Sequence, residues 1–490
     1  MRRFKRQLSQ KLRLRDDSQE RHSNWLGIFY DLIFMAAILQ LSAQLSREYD
    51  IDELGRYALL FVPIWWLWCD HNFCMARFDI GDIIQRLLTL SGMFGVAMMA
   101  IAIPDTFDQA DTTFVAAYVS TRGATFFQYI RAGQTIPEAK ELTGRLTQGY
   151  GIGLIIWLVA IAIPAPSRYV MWGIALSVEL LTPVFASKEK DKVKFPGNFA
   201  QLRERFGVFT IIILGTTVAT IIRTIQLRRL SVIESAIAAS FGLILIFGIW
   251  WDYYESSRFL EPSKTKVSTT IPAFWQWTYS HLALHALIPV IAIGFRYAIY
   301  TFPGDFIDYT TGWILALAVG SSMLALGVIW TSLPILAQKS SFNDSASYFV
   351  TAAVVAGCGI LAARVVVPLY LFCLTGMFLV RVLMTDIEFD SGDSSKDKKE
   401  NKSSSSSSSE KKDSGDKKEE KRSSSSSSSS SGDRRDDKRD DRRDDRRDDK
   451  RDDRRDDRRD DRRDDRRDDR RDDRRDDRRD DRRDDRRDYR

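Results

Sequence analysis

Between Trp25 and Met384 the chain reads as about twelve apolar segments in series, each near the length of helix that crosses a hydrocarbon core. Runs such as Ile152–Ile163 and Ser235–Trp251 are too long and too evenly apolar for an ordinary strand. About twenty such residues in a helix, rising about 1.5 Å each, span a bilayer. The pattern predicts spans at 25–45, 57–75, 86–103, 112–130, 148–164, 168–186, 206–222, 233–251, 277–299, 312–332, 347–363 and 365–384. The last two come from one stretch, Ser347–Thr385, about twice too long for a single crossing and interrupted by Arg364 and Pro368. A tight hairpin is expected there. The expected fold class is therefore all-α, a polytopic transmembrane bundle with the lipid bilayer as its medium.

Composition must be read in two parts, because much of the 28% charged fraction comes from the C-terminal hundred or so residues. Lys and Arg are retained on the cytoplasmic side of short connections. With both termini placed inside, the inner segments before the tail hold roughly 23 Lys or Arg and the outer ones roughly 7. The inner set includes the leader 1–24, with Arg2, Arg3, Lys5 and Arg6, and the loop carrying Lys188, Lys190, Lys192, Lys194, Arg203 and Arg205. Arg223, Arg228 and Arg229 dissent. The net charge of +6 thus implies affinity for anionic lipid headgroups at the inner face, and a nucleic-acid partner is not expected. The first apolar segment contains Asp31 and lacks a small-residue cleavage pattern, so it is expected to remain as a signal anchor. The four cysteines, Cys69, Cys74, Cys358 and Cys373, lack paired CxxC spacing and predict neither a disulfide framework nor a zinc site.

A faint repeat divides the transmembrane region 25–385 into halves at 25–186 and 206–385. Trp65-Trp66, Asp70 and Arg77-Phe78 match Trp250-Trp251, Asp252 and Arg258-Phe259, and Glu20-Arg21 matches Glu204-Arg205. Two six-helix halves would share one orientation, with a site between them. Tryptophan and arginine also gather at membrane interfaces for ordinary reasons, so the match has a second explanation. The tail, 386–490, passes from serine runs into an Arg-Arg-Asp-Asp repeat with almost nothing to bury. It reads as a disordered polyampholyte. Docking of its arginines on an acidic partner is the sharper reading, but interleaved aspartates cancel the field beyond a Debye length of about 10 Å.

Ionisable groups inside the spans are few, since a mid-bilayer charge costs about 2.5–3.5 kcal/mol on insertion scales and persists mainly when paired or wet. Asp31, Arg122, Glu179 and His281 qualify, with His285 one turn beyond. Arg122 needs a carboxylate partner, for which Asp31 and Glu179 are the candidates. That pair reads either as a structural bridge fixing helix register or as part of a transport path. Glu179 precedes Pro183 by four residues, which leaves its carbonyl without the usual donor and predicts either an unwound, ion-binding turn or a packing kink. His281 and His285 share a helical face at metal-ligand spacing, but no third ligand lies within a turn, so hydrogen bonding is the expected role. The cluster Asp70-His71, Arg77, Asp79, Asp82 and Arg86 reads as a solvated or gating end of a hairpin.

No phosphate-binding glycine loop, GxSxG, HExxH or kinase set can be placed, so no enzymatic activity and no cofactor are expected. The stretch from Arg21-His22-Ser23-Asn24-Trp25 to Tyr30-Asp31-Leu32-Ile33-Phe34 resembles the N-terminal signature of the bacterial low temperature requirement A (LtrA) membrane family. The resemblance extends through Trp65-Trp66 to Arg77-Phe78-Asp79, Arg86 to Phe107, Tyr118 with Arg122, and Glu204-Arg205-Phe206 to Leu214-Gly215. It covers most of residues 20–385 and leaves out the tail. It implies a multi-pass protein of the bacterial inner membrane linked to growth in the cold, without a settled activity. Gln201, Phe206 and Thr216 stand where the family pattern carries histidine, histidine and glutamate. Together these features point to a secondary transporter or channel-like permease for an unknown solute or ion. Its pathway would use Asp31, Arg122, Glu179, Glu204, Arg205 and His281. The alternative is a membrane sensor or scaffold that recruits partners through its tail.

Overall fold

The computed structural model describes residues 13–14, 25–79, 82–108, 111–188, 197–228, 231–258, 270–301, 304–332 and 342–380. Most of the leader, Lys190, Lys192 and Lys194, Arg229 and the tail fall outside them. A helix stands at each of the twelve predicted positions. They are α1 (Trp25–Leu45), α2 (Ile51–Arg77), α3 (Ile83–Ala102), α4 (Asp111–Thr135), α5 (Lys140–Ile161) and α6 (Ser167–Ala186). The second set is α7 (Phe199–Arg228), α8 (Val232–Arg258), α9 (Ile271–Tyr300), α10 (Tyr309–Thr331), α11 (Phe342–Gly357) and α12 (Val367–Val380). The only strands among the described residues are β1 (Arg13–Leu14) and β2 (Phe78–Asp79), an antiparallel pair.

Eight of these helices are long and apolar enough to cross a membrane, fewer than the twelve spans expected. The difference has a physical cause. α11 and α12 are apolar but short, and α2 and α4, at 27 and 25 residues, carry the polar side chains of the core. Helix starts follow capping chemistry: Asp50, Asp82 and Asp308 each accept a bond from the backbone N–H three residues on. The predicted hairpin near Arg364 is present, turning through Ala363, whose φ of 57° is left-handed. α6 stays helical through Pro183, so the unwound turn predicted beside Glu179 does not form.

Helix packing follows a simple order. In the first half α1 packs on α2 and α3, α2 on α4, α3 on α4, and α4 on α5; in the second α7 packs on α8 and α9, α8 on α10, α9 on α10, and α10 on α11. The halves meet where α1 and α2 pack against α7 and α9. Tyr49 and Tyr57 donate across this seam to the carbonyls of Val290 and Ala286, both at 2.9 Å. Tyr279 of α9 donates to Leu180 of α6 at 2.7 Å.

The bundle inverts the usual polarity of a water-soluble fold. Leu87, Leu90, Phe94 and Ile101 recur down the exposed side of α3, and Val170, Ile174, Leu181 and Phe185 down that of α6. Asp31, Asp70, Arg122 and Glu179 are each at most 1% exposed. Apolar outside with paired charges inside is the arrangement a hydrocarbon solvent requires.

Candidate functional site

α2 is the post around which the site is built. Every residue from Pro63 to Cys74 is buried, so this helix has no lipid face along that stretch and its polar groups must find partners on neighbouring helices. Trp65, Trp68 and Asn72 lie along one side, at helical spacing, and engage α1, α7 and α9. Asp70 engages α4 and α5 instead.

The first cluster centres on Arg122 of α4. Its Nη1 donates to Asp70 Oδ2 at 2.8 Å, and its Nε lies 3.0 Å from Glu179 Oε2 on α6. The guanidinium lies over the Tyr150 ring, 3.8 Å from its centroid, which adds a cation–π contact. Three phenols complete the shell: Tyr129 and Tyr150 donate to Asp70 Oδ1 at 2.9 and 2.8 Å, and Tyr118 donates to Glu179 Oε2 at 2.7 Å. One cation thus ties α4 to three other helices, α2, α5 and α6. Gly153 makes room for it, since a Cβ there would stand 2.7 Å from Glu179 Cγ.

The second cluster crosses the seam between the halves. Arg205 Nη2 on α7 lies 2.6 Å from Asp31 Oδ2 on α1, and Trp68 Nε1 donates to Asp31 Oδ1 at 2.8 Å. Arg205 Nε donates to Asn72 Oδ1 at 3.3 Å, and the Asn72 amide in turn donates to the Trp68 carbonyl. Gly27 lets the guanidinium approach α1: its Cβ would fall 3.1 Å from Arg205 Cζ.

A third set is neutral. Trp65 Nε1 can only donate, so it fixes His285 Nδ1 as an acceptor at 2.9 Å and leaves the proton on Nε2, which meets Thr210 Oγ1 at 2.8 Å. His281 takes the opposite tautomer, because its Nδ1 faces the Trp277 carbonyl at 2.8 Å and its Nε2 meets the Tyr253 hydroxyl at 3.0 Å. Each ring is hydrogen-bonded at both nitrogens. No group of three His, Cys, Asp or Glu suited to a metal ion exists among the described residues.

Of the residues singled out from sequence, Asp31, Arg122, Glu179, Arg205 and His281 are buried in this core. Glu204 is not: it is exposed on α7 and turned away from both clusters, as its position one residue from buried Arg205 demands on a helix. Arg122 pairs with Glu179, one of its two expected partners, and with Asp70 in place of Asp31. Asp70 was expected at a solvated hairpin end, yet it is 1% exposed. The signal was present in the apolar run Trp65–Cys69, which places Asp70 inside the span. Asp82 also leaves the solvated set, pairing with Arg131 of α4, whereas Arg86 is exposed.

A bundle with an apolar exterior and paired charges across its inner seam defines a multi-pass helical membrane protein. Residues 22–383 match the family model described as bacterial low temperature requirement A protein (LtrA). The chain belongs to that family. It is also 26% identical, over 300 residues, to an uncharacterized protein of Rhizobium meliloti (strain 1021), a match covering 56% of this chain and 72% of the relative.

Proposed function

We propose that the protein is a non-enzymatic secondary transporter or channel-like permease of the cytoplasmic membrane, moving a small solute or ion along the seam between two six-helix halves. The observation that carries this reading is the placement of both charged clusters against α2, with one of them, Asp31–Arg205, bridging the halves. Charges persist in a bundle core where they pair, and they mark pathways and switches there. The recurring packing order and the likeness of two buried pairs, Tyr150 to Asp70 and Tyr348 to Asp252, support an origin by duplication.

In this reading Arg205 and Asp31 form a lock. Its rupture frees α1 from α7 and opens the seam. Arg122 is the fixed cation for which an entering anion would compete with Glu179, a proton would compete with Arg122 for the Glu179 carboxylate, and the three phenols supply donors that need not ionise. Flux in liposomes tests the proposal across candidate ions and small solutes. A solute whose flux depends on the protein is expected to lose most of its rate on Asp31→Asn, Arg122→Gln or Glu179→Gln. Flux unchanged in all three variants would remove these residues from the pathway.

A further inference from the structure

A cavity of about 490 Å³ lies far from both charged clusters, between the first turns of α2, the middle of α9 and the first half of α10. Its walls are Ile51 and Leu54, Leu287 and Val290, and α10 from Tyr309 to Ser321. We propose that this groove holds one acyl chain of a bilayer phospholipid as a retained ligand wedged against the seam between the halves.

Three features point to that occupant. The first is length: Tyr309 to Ser321 is thirteen residues, twelve steps or about 18 Å along the helix, a little over half of a hydrocarbon core of about 30 Å. The groove therefore runs the depth of one leaflet. The second is access, because Ile51, Tyr309 and Leu317 on its margin are exposed, and α10, which carries two of them, is long and apolar enough to cross a membrane. The third is the distribution of polar groups. Tyr309 and Thr310 sit at the helix-start end, where a glycerol ester would lie, and the rest of the wall is apolar except for Ser321.

A chain seated here touches α2 from one half and α9 and α10 from the other. The comparison surface is α3, where Leu87, Leu90, Phe94 and Ile101 are all more than half exposed, as for ordinary boundary lipid. The inference is independent of any solute flux.

The experiment uses the full chain in vesicles containing a phosphatidylglycerol with a photoactivatable acyl chain. Crosslinking is triggered at intervals after dilution into detergent, and labelled peptides are mapped. Label on residues 309–321 is expected to outlast label on residues 87–101 by about tenfold in time, the gain being in dissociation rate. Leu317→Trp and Ser321→Phe, which fill the groove, are expected to abolish the difference. Equal decay at the two places would overturn the proposal, as would slow label on 309–321 that persists in both filled variants.

Discussion

At the scale of single residues, Arg122 is the group whose loss the core tolerates least. Removing it leaves Asp70 and Glu179 buried without their cation, and breaking one partner of a buried pair costs about 3–5 kcal/mol. Thermal unfolding in detergent is expected to show Arg122→Gln well below the parent protein, with Arg122→Lys closer to Gln than to wild type. A lysine ammonium is a point charge and cannot meet both carboxylates and the Tyr150 face with a planar fork. An Arg122→Lys protein as stable as the parent would show that the fork geometry is irrelevant. Gly153 offers a subtler check. Alanine there intrudes on Glu179 and is expected to cost about 1–3 kcal/mol by overpacking, whereas Gly173→Ala, where nothing lies within 4 Å, should not destabilise. The sequence made Arg122, Asp31 and Glu179 visible because charges stand out in apolar text, whereas Arg205, in a basic loop, was marked by the Glu204-Arg205 match and the family resemblance. Which carboxylate each arginine takes was not legible, since partner choice depends on how helices far apart in sequence are rotated against one another. Asp31 and Asp70 could not be sorted between Arg122 and Arg205 without that rotation.

At the scale of the helix, periodicity and length located all twelve elements, and their errors are informative. The second span was expected to begin at 57 and begins at Ile51, because the Asp50 cap and the acidic pair Asp52 and Glu53 start the helix before its apolar part does. α2 and α4 look poorer as membrane spans than their neighbours because their polar residues serve each other rather than lipid. That makes α2 a mediator between clusters. Trp68 bonds Asp31 while Asp70, two residues on, bonds Arg122, so a small rotation of α2 would strain both. Coupling across the seam is expected to be measurable as non-additivity. In a double-mutant cycle on detergent stability, Asp31→Asn and Arg205→Gln together should cost less than the sum of the two singles, by about 0.5–3 kcal/mol. Simple addition would mean that the bridge contributes nothing as a pair.

At the scale of the whole molecule, the family match ends at residue 383, and the Ser, Lys, Arg and Asp tail begins directly beyond it. The sequence is sharply divided between a part that needs lipid and a part that needs water, and no apolar residue pattern links the two. The permease and scaffold readings diverge at that boundary. If the bundle does the work, truncation after residue 389 should leave unfolding in detergent and any protein-dependent flux unchanged. Long, evenly mixed charge repels no solute beyond a Debye length of about 10 Å and adds no apolar burial to the helices. If the tail does the work, truncation should abolish a cold-growth phenotype while flux and bundle stability persist. Measuring growth, flux and melting on the one truncated protein separates these outcomes. Loss of growth alone would place the growth function in the tail, because the bundle, with its stability and any flux intact, would then not suffice for it.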